Sequence, residues 1–286
     1  MNKLVVFNEY RPLLFAIAYR MLGSISDAED MIQEAWIRWQ SSKTVVRSPK
    51  AFLSSLITRL CIDQLRSAKV KRERYFGTWL PEPIITETID ATSDHAELSE
   101  SLSYAFLTLL ECLSPTERAV YLLREVFDYD YPQIASTVGK STANCRQIVC
   151  RARQHLKQRK PALTLSIQQK ERAIEQFLTC WTQGDVQGLI SLMKKDVTFW
   201  SDGGGKTTAV SQPLLGHQKV ARFLIAIRRS RLIPAFSANM AYINEQPGIL
   251  NTAPSNQAQS TFSFEFSHTR IQSIFAVVNP DKLPHL

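Results

Sequence analysis

The spacing of apolar residues divides the chain into a helical part and a mixed part. Up to about residue 161, apolar side chains recur every three or four positions, which predicts amphipathic helices. Near the N-terminus we expect helices at residues 7–22, from a cap at Ser26 or Asp27 onward, and at residues 49–71. The first half of the chain is therefore predicted to be all-α.

Residues 131–153 have the pattern of a helix-turn-helix. Ile134 lies on the apolar face of a short first helix, Gly139 permits a tight turn, and Cys145 and Ile148 face back from the second helix. The outer face of the second helix keeps polar donors that suit phosphates and base edges in the major groove. Those donors are Ser141, Thr142, Asn144, Arg146, Gln147 and Arg151. The pattern predicts DNA binding, although structural helical hairpins share it.

After Ser166 the pattern changes to short helices and strands. Residues 260–267 alternate strictly between apolar and polar, as a half-buried strand does. We expect helices at residues 168–181, 186–193 and 218–229, and strands at 197–201, 207–210, 236–244, 249–252, 260–267 and 271–278. This order is typical of a separate α+β domain of about 120 residues.

The two helical segments are joined by a linker that contains Trp79-Leu80-Pro81-Glu82-Pro83. Its prolines favour extended backbone, and the acidic stretch that follows has no apolar run that could form a core. Because Trp79 and Leu80 are unusual in a passive tether, we expect the linker to dock. The predicted domains are residues 1–76, 101–161 and 166–286, with the linker at 77–100.

Charge is distributed unevenly along the chain, whose net charge is +8. Residues 1–80 carry +6, residues 81–100 carry −6 with no Lys or Arg, residues 101–161 carry +4 and the remainder carries +4. Basic segments on both sides of an acidic linker favour a polyanionic partner. In the third predicted helix, the basic residues expected to contact DNA are Arg59, Arg66, Lys69 and Arg72.

Composition also limits the classes of protein. The five cysteines lie neither in a C-x-x-C pair nor at zinc-like spacing from a histidine, so we expect reduced thiols, no metal and no cofactor. The start of the chain lacks a signal-peptide layout, and the longest apolar run, at residues 13–19, is too short to span a bilayer. A cytoplasmic protein is expected.

This arrangement resembles a bacterial extracytoplasmic-function (ECF) sigma factor. The resemblance is carried by residues 27–34 (DAEDMIQE) in region 2, by residues 51–74 in its DNA-facing helix, and by residues 113–118 through 151–153 in region 4. It narrows to the group whose C-terminal domain is SnoaL-like, that is, similar to polyketide cyclases and nuclear transport factors. The marks of that group are WLPEP at residues 79–83, DGGGK at 202–206 and NPDKL at 279–283.

The resemblance implies partners for each surface. In the family, the acidic face of the second helix binds the clamp helices of the RNA polymerase β′ subunit, and region 4 lies against the β flap. That face here comprises Asp27, Asp30, Gln33 and Glu34, which the residues alone would have assigned to a solvated surface. The loop at residues 40–48 and the helix after it would open the minus-ten element and capture a base, and the helix-turn-helix would read the minus-thirty-five element.

For the C-terminal domain, the resemblance favours a built-in regulator that acts through a latch between the linker and this domain. We expect Lys206 and Lys282 to pair with Glu82 or other linker acids, and Trp79 to fill an apolar notch. The full set of expected latch residues is Trp79, Pro81, Glu82, Pro83, Asp202, Gly203, Gly204, Gly205, Lys206, Asn279, Pro280, Asp281, Lys282 and Leu283.

Two alternatives remain at the level of sequence. A cyclase-type enzyme fused to a DNA-binding module would use Asp202 or His217 for proton transfer in an apolar pocket. A free-standing helix-turn-helix regulator would bind its operator without polymerase. We expect no enzymatic activity, because Asp202 precedes three glycines and His217 lies at a helix start. A small-molecule ligand for the C-terminal domain stays open.

Overall fold

The computed structural model describes residues 2–43, 46–72, 75, 77–86, 101–157, 165–207, 209–230 and 235–283. Its helices are α1 (Lys3–Leu22), α2 (Ile25–Ser41), α3 (Pro49–Arg72), α4 (Tyr104–Leu110), α5 (Pro115–Glu125), α6 (Tyr131–Val138), α7 (Thr142–Lys157), α8 (Ile167–Gln183), α9 (Val186–Leu192) and α10 (His217–Arg229). Its strands are β1 (Ile85–Thr86), β2 (Met193–Asp202), β3 (Leu214–Leu215), β4 (Ser237–Ile243), β5 (Gln246–Thr252), β6 (Ala258–Ser267) and β7 (Arg270–Val277).

These elements form two compact units. The N-terminal unit comprises Met1–Arg74 and Leu107–Lys160, and the C-terminal unit comprises Tyr75–Phe106 and Pro161–Leu286. The prediction of helical domains followed by an α+β domain is confirmed. The linker and residues 101–106, which the sequence assigned outside the C-terminal domain, group with it.

Local sequence sets the helix ends in the first three helices. Gly23 adopts the left-handed conformation with φ 68° and ends α1, as glycine does at low cost. The Oγ atom of Ser24 accepts a hydrogen bond from the Asp27 amide and caps α2. The cap expected at Ser26 or Asp27 is therefore wrong by two or three residues. The apolar stripes of α1, α2 and α3 then pack together, with Leu14 and Ile57 fully buried.

The turn of the helix-turn-helix falls at Gly139, as predicted, and capping boxes begin its first helix and the helix before it. Ser114 and Glu117 form a capping box at the start of α5, and Asp130 and Gln133 form a second one at the start of α6. Gly139 takes the left-handed conformation, with φ 66°, in the turn before α7. The side chains that the sequence assigned to the inner face, including the Cys145 thiol, are buried in one cluster.

In the C-terminal unit, the described strands form one sheet in the order β1-β4-β5-β6-β7-β2-β3. The pair β2 and β7 is parallel, and the other neighbours are antiparallel. The strand expected at residues 207–210 is wrong: Thr207, Ala209 and Val210 lie outside any strand, and β3 forms further along. A strand at the sheet edge needs a partner, and β3 finds it in Thr198 and Phe199 of β2.

Aromatic side chains fill the space between the sheet and helices α8 to α10. Trp181 is fully buried, stacks on Phe262 with 5.2 Å between ring centroids, and donates its Nε1–H to the carbonyl of Leu224. Phe177 packs edge-on against Phe264 at 5.1 Å. This packing stabilises the unit and occupies the interior that faces the helices.

The opposite face of the sheet is covered by the linker. Because side chains alternate across a strand, Ile274 of β7 points to the aromatic interior while Phe275 points the other way. Leu80 and Tyr104 join Phe275 there in a second apolar cluster. The described part of the linker, residues 77–86, is thus docked on the sheet, as predicted from its apolar residues.

Candidate promoter-binding surfaces and the linker latch

The acidic face of α2 has two outward members and two that are engaged inside the chain. Asp30 and Gln33 are exposed. Glu34 accepts a hydrogen bond from Arg38 at 2.6 Å, and Asp27 accepts one from the Nε2 atom of Gln64 on α3 at 3.2 Å. The surface that the chain offers to a basic partner is therefore centred on Asp30 and Gln33.

Helix α7 presents the polar face that the sequence predicted. Arg146, Gln147 and Arg151 are exposed, whereas Thr142 and Asn144 are half-buried. The sixth predicted donor, Ser141, is exposed, and its Oγ atom accepts a hydrogen bond from the Asn144 amide at 3.2 Å. The Arg146 guanidinium also lies 5.1 Å from the centroid of the Tyr131 ring, which orients it across the turn of the motif.

The basic residues of α3 divide differently. Arg59 donates from Nε to the carbonyl of Thr137 at 2.8 Å and from Nη2 to that of Ser136 at 2.7 Å. These are carbonyls of the last turn of α6, where a cation is favoured by the helix dipole. Arg66 is exposed and pairs with Asp63 at 3.5 Å. The side chains of the other two expected DNA contacts, Lys69 and Arg72, lie outside the described residues.

Further side chains hold α3 and α6 together within the N-terminal unit. The hydroxyls of Ser55 and Thr137 are 2.7 Å apart, and the Tyr129 hydroxyl donates to the Oγ atom of Ser54 at 2.6 Å. Burial is the main cause that raises the pKa of Tyr129, so the phenol stays protonated and able to donate. The expected DNA-facing helix and the first helix of the helix-turn-helix are thus packed against each other in this structure.

In the C-terminal unit, Asp202 is the centre of a buried network. Its carboxylate is fully buried. Oδ1 accepts from the Tyr75 hydroxyl at 2.6 Å and from the Gly204 amide at 3.0 Å. Oδ2 accepts from the Leu80 amide and from the Lys282 ammonium, both at 2.8 Å. Four donors therefore compensate the loss of water around this charge.

Lys282 connects the C-terminal NPDKL motif to the linker. Its ammonium donates to the Leu80 carbonyl at 2.5 Å as well as to Asp202. It also lies over two rings, 4.4 Å from the centroid of Trp79 and 5.1 Å from that of Tyr75. Trp79 is therefore a half-buried partner of a cation, and Leu80 is the residue that fills the apolar cluster, which corrects the role expected for Trp79.

Two further contacts explain Gly204 of the DGGGK motif and Asn279 of the NPDKL motif. Gly204 has φ 60°, and a Cβ atom there would lie 2.3 Å from the Nδ2 atom of Asn279. That nitrogen donates to the Tyr75 hydroxyl at 3.0 Å. Lys206 pairs with Asp281, so this ion pair joins the two motifs of the C-terminal domain.

Sequence reasoning missed Tyr75 and Asn244. Burial, together with the hydrogen bond that it donates to Asp202, raises the pKa of Tyr75 and keeps it a donor. Asn244 accepts from the Ile84 amide at 2.8 Å and donates from Nδ2 to the Leu102 carbonyl at 3.0 Å. It thus bonds to the chain on both sides of residues 87–100. It lies in a turn of two consecutive positive-φ residues, Asn244 and Glu245, a conformation that asparagine tolerates better than most residues.

Some candidate groups do not form a site. His217 is half-buried at the start of α10, and its Nδ1 atom is buried without a hydrogen-bond partner among the described residues. Within the described part of the chain, no three His, Cys, Asp or Glu side chains are placed to hold a metal ion. Cys61 and Cys145 are buried, whereas Cys112 and Cys150 are exposed; all five thiols are free. No described helix has the length and apolar character needed to cross a membrane.

Comparison with known proteins assigns the class. The model of Sigma-70 region 2 matches residues 6–70, and that of Sigma-70 region 4 matches residues 103–156. The helices of the N-terminal unit and the helix-turn-helix thus correspond to the two conserved promoter-reading regions of a sigma factor.

Whole-chain relatives extend this result. The ECF RNA polymerase sigma factor SigJ of Mycobacterium tuberculosis is 32% identical over 96% of this chain and 91% of its own length. The crystal structure of SigJ covers 96% of this chain and 97% of its own, with a TM-score of 0.75. The probable ECF sigma factor SigI of the same organism is 32% identical over 66% of each chain. This chain belongs to the ECF RNA polymerase sigma factors, which bind core RNA polymerase and promoter DNA to initiate transcription.

Proposed function

We propose that this chain is a sigma factor whose C-terminal domain regulates transcription by holding the linker between regions 2 and 4. The observation that carries the proposal is the hydrogen bonding of Asp202, which binds the linker through Tyr75 and Leu80. In chain order, the linker follows the last helix of region 2 and precedes region 4. A domain that binds this segment controls how freely the two promoter readers separate.

The surfaces of the N-terminal unit have separate roles in this proposal. Asp30 and Gln33, flanked by Asp27 and Glu34, contact the β′ clamp helices. The loop at residues 40–48 and helix α3 open and read the minus-ten element. Side chains of α7 read the minus-thirty-five element, and the protein acts in the cytoplasm, where core polymerase is present.

Under this proposal Arg59 has two successive roles, one before and one after α3 separates from α6. In the structure its guanidinium binds the carbonyls of Ser136 and Thr137. Separation of α3 from α6 frees it for phosphates of the promoter. The contacts are to partly exposed groups, and such bonds contribute about 1 kcal/mol or less each, so polymerase binding can offset them.

The same geometry argues against catalysis by Asp202. General acid or base chemistry needs a carboxylate that reaches a substrate. Each carboxylate oxygen of Asp202 already accepts two hydrogen bonds, from donors on Tyr75, Gly204, Leu80 and Lys282. We assign it a structural and regulatory role.

In vitro transcription with purified core polymerase tests the proposal. We compare the full chain, a variant that lacks residues 279–286, and Lys282→Met, on a promoter selected with the wild-type protein. If the latch restrains the promoter readers, both changes raise promoter-specific transcription. The matched control is Lys206→Met, which removes an equal charge from an exposed ion pair. If promoter-specific transcription is unchanged in both Lys282→Met and the truncated chain, the proposed regulation is wrong.

A further inference from the structure

Lys3 makes an unusual set of contacts at the first turn of α1. Its ammonium donates to the carbonyls of Trp39 and Gln40, both at 3.0 Å, and to that of Ser42 at 2.7 Å. These are the last carbonyls of α2 and the first of the loop that follows. Such carbonyls lack partners within their helix, and a cation satisfies them while interacting favourably with the helix dipole.

Trp39 completes this connection. Its indole Nε1 donates back to the Lys3 carbonyl at 3.2 Å, and the Lys3 ammonium lies 5.6 Å from its ring centroid. The Trp39 ring also contacts Phe52, in the first turn of α3, with 5.3 Å between centroids. Lys3 therefore bonds to Ser42 at the start of the loop. Trp39 packs against Phe52, whose amide donates to the carbonyl of Ser48 at the end of the loop.

We propose that Lys3, by binding the carbonyls of Gln40 and Ser42, is a positioning residue for the start of the loop at residues 40–48, and that it thereby sets how selectively the holoenzyme captures a base of the minus-ten strand. This inference rests on the proposed role of the loop in minus-ten recognition. A captured base leaves the stack at a cost, which only a loop already held in its binding conformation recovers fully. Loss of the ammonium removes the bond to the Ser42 carbonyl, while the Ser42 amide still donates to the carbonyls of Arg38 and Trp39 and the Trp39 ring still packs in the core.

The test uses holoenzyme assembled from core polymerase and the full chain. Wild-type holoenzyme first selects its preferred minus-ten single strand from a randomised library. We then measure the ratio of affinities for that strand and for the strand with one preferred base replaced. Lys3→Met keeps the methylene stem and removes the ammonium, and we expect the ratio to fall about fivefold or more. Lys3→Arg, which keeps cationic donors within reach of the carbonyls, should restore most of it.

Arg11→Met is the matched control. Arg11 lies on the same helix, is exposed and pairs with Glu29, so its loss removes an equal charge away from the loop. We expect its ratio to match the wild type, and affinity for core polymerase to be unchanged in every variant. If Lys3→Met assembles poorly, Trp39→Phe replaces it, because it keeps an aromatic ring near Phe52 while it removes the indole N–H together with the five-membered ring that carries it; a smaller fall is then expected.

The outcomes separate the two proposals. If the wild-type holoenzyme discriminates between the two strands and the Lys3→Met and Trp39→Phe holoenzymes show the same affinity ratio, the role of Lys3 is overturned and the proposed role of the loop stands. A wild-type holoenzyme that prefers no base in this strand overturns the proposed function of the loop, and the role of Lys3 with it. Equal losses in Arg11→Met and Lys3→Met also contradict positioning, since they indicate a general charge effect.

Discussion

Among the described residues, each unit of this sigma factor has a buried charged side chain that hydrogen-bonds to a distant segment, Arg118 in one and Asp202 in the other, and these two are satisfied to different degrees. In the N-terminal unit, Arg118 is 4% exposed. Its Nη1 atom donates to the Met21 carbonyl at 2.7 Å and pairs with Glu111 at 3.0 Å, but its Nε is buried without a hydrogen-bond partner among the residues that the structure describes. In the C-terminal unit, Asp202 is fully buried and accepts from four donors.

A buried polar atom without a partner carries a desolvation cost, whereas a fully bonded charge leaves little to gain from water. We therefore expect the junction of α1 with α5 to be the weaker of the two, and the contact of the linker with the C-terminal domain to be the stronger. Under the proposed function, in which regions 2 and 4 separate while the C-terminal domain holds their linker, the junction of α1 with α5 is the one that opens.

The largest loss of stability should follow Asp202→Asn, which removes the more fully satisfied of the two buried charges. The change leaves the Lys282 ammonium without its anion and turns two acceptors into one acceptor and one donor. Removal of one partner of a buried ion pair costs about 3–5 kcal/mol. Hydrogen exchange at the Leu80 amide, which bonds directly to Asp202, should rise accordingly. The control Lys206→Met, in the exposed pair with Asp281, should cost about 0–1 kcal/mol. Equal losses of stability in the two variants would contradict the central role of Asp202 in the buried network.

Arg118→Met probes the weaker junction. It removes hydrogen bonds from a charged donor to Met21 and Glu111, worth about 1.5–3 kcal/mol, and also removes the unpaired Nε. We expect faster amide exchange in the last turn of α1, with no change at Leu80. Arg153→Met, which loses an exposed pair with Glu125, is the control. A loss as large as that of Asp202→Asn would reverse the ranking of the two junctions.

A smaller effect is expected from Tyr129→Phe. The variant loses the hydrogen bond to Ser54, a net loss of about 1 kcal/mol, and leaves the buried Ser54 hydroxyl with fewer partners. Amide exchange in α6 should increase while the C-terminal unit stays unchanged. Tyr242→Phe, which loses a bond to Glu171 in the other unit, should leave α6 unaffected. Unchanged exchange in α6 after Tyr129→Phe would show that this contact does not hold α3 to α6.

The smallest effect is a pH dependence of stability in the C-terminal unit, which arises from Glu265. Burial is the main cause that raises the pKa of Glu265, although Ser273 donates to it at 2.8 Å. Between its unfolded pKa, about 4.3, and its raised folded pKa, the unfolded state is ionised and the folded state is not. The stability from Glu265 is therefore complete below the unfolded pKa and is lost as pH rises through the folded one.

Glu265→Gln removes this dependence, because an amide does not ionise and still accepts from Ser273. We expect the variant to melt above the wild type at pH 7, with the difference shrinking toward pH 4, where both side chains are uncharged. Thermal melts across this range measure it. A variant that loses stability equally at both pH values would contradict the assignment.

Local features of the chain were predictable because their causes lie within a few residues. The capping box of Ser114 and Glu117 and the left-handed Gly139 follow from short-range hydrogen bonding and backbone sterics. The alternation at residues 260–267 likewise predicted β6. Failures came where tertiary pairing decides: residues 207–210 read as a strand, yet β2 takes Leu214 and Leu215 as its partner.

The site was predictable as a set of residues but not as a set of bonds. The three motifs of the latch named the segments that meet, but Lys282 was expected to bind Glu82 or another acid of the linker. That the acid is Asp202, and that Tyr75 joins it, required the fold to bring together residues 80 and 127 positions apart. Arg59 likewise looked like a phosphate contact, because nothing in its helix reveals the carbonyls of α6 nearby.

The class of this protein, its helices and most of its strands were predictable from periodicity, caps and motifs, which act over short distances along the chain. The fold was needed to show which charges are buried, which donors meet them, and that Lys3 binds carbonyls at the end of α2. Burial and pairing of charge depend on distances in space, and spacing along the sequence does not contain those distances.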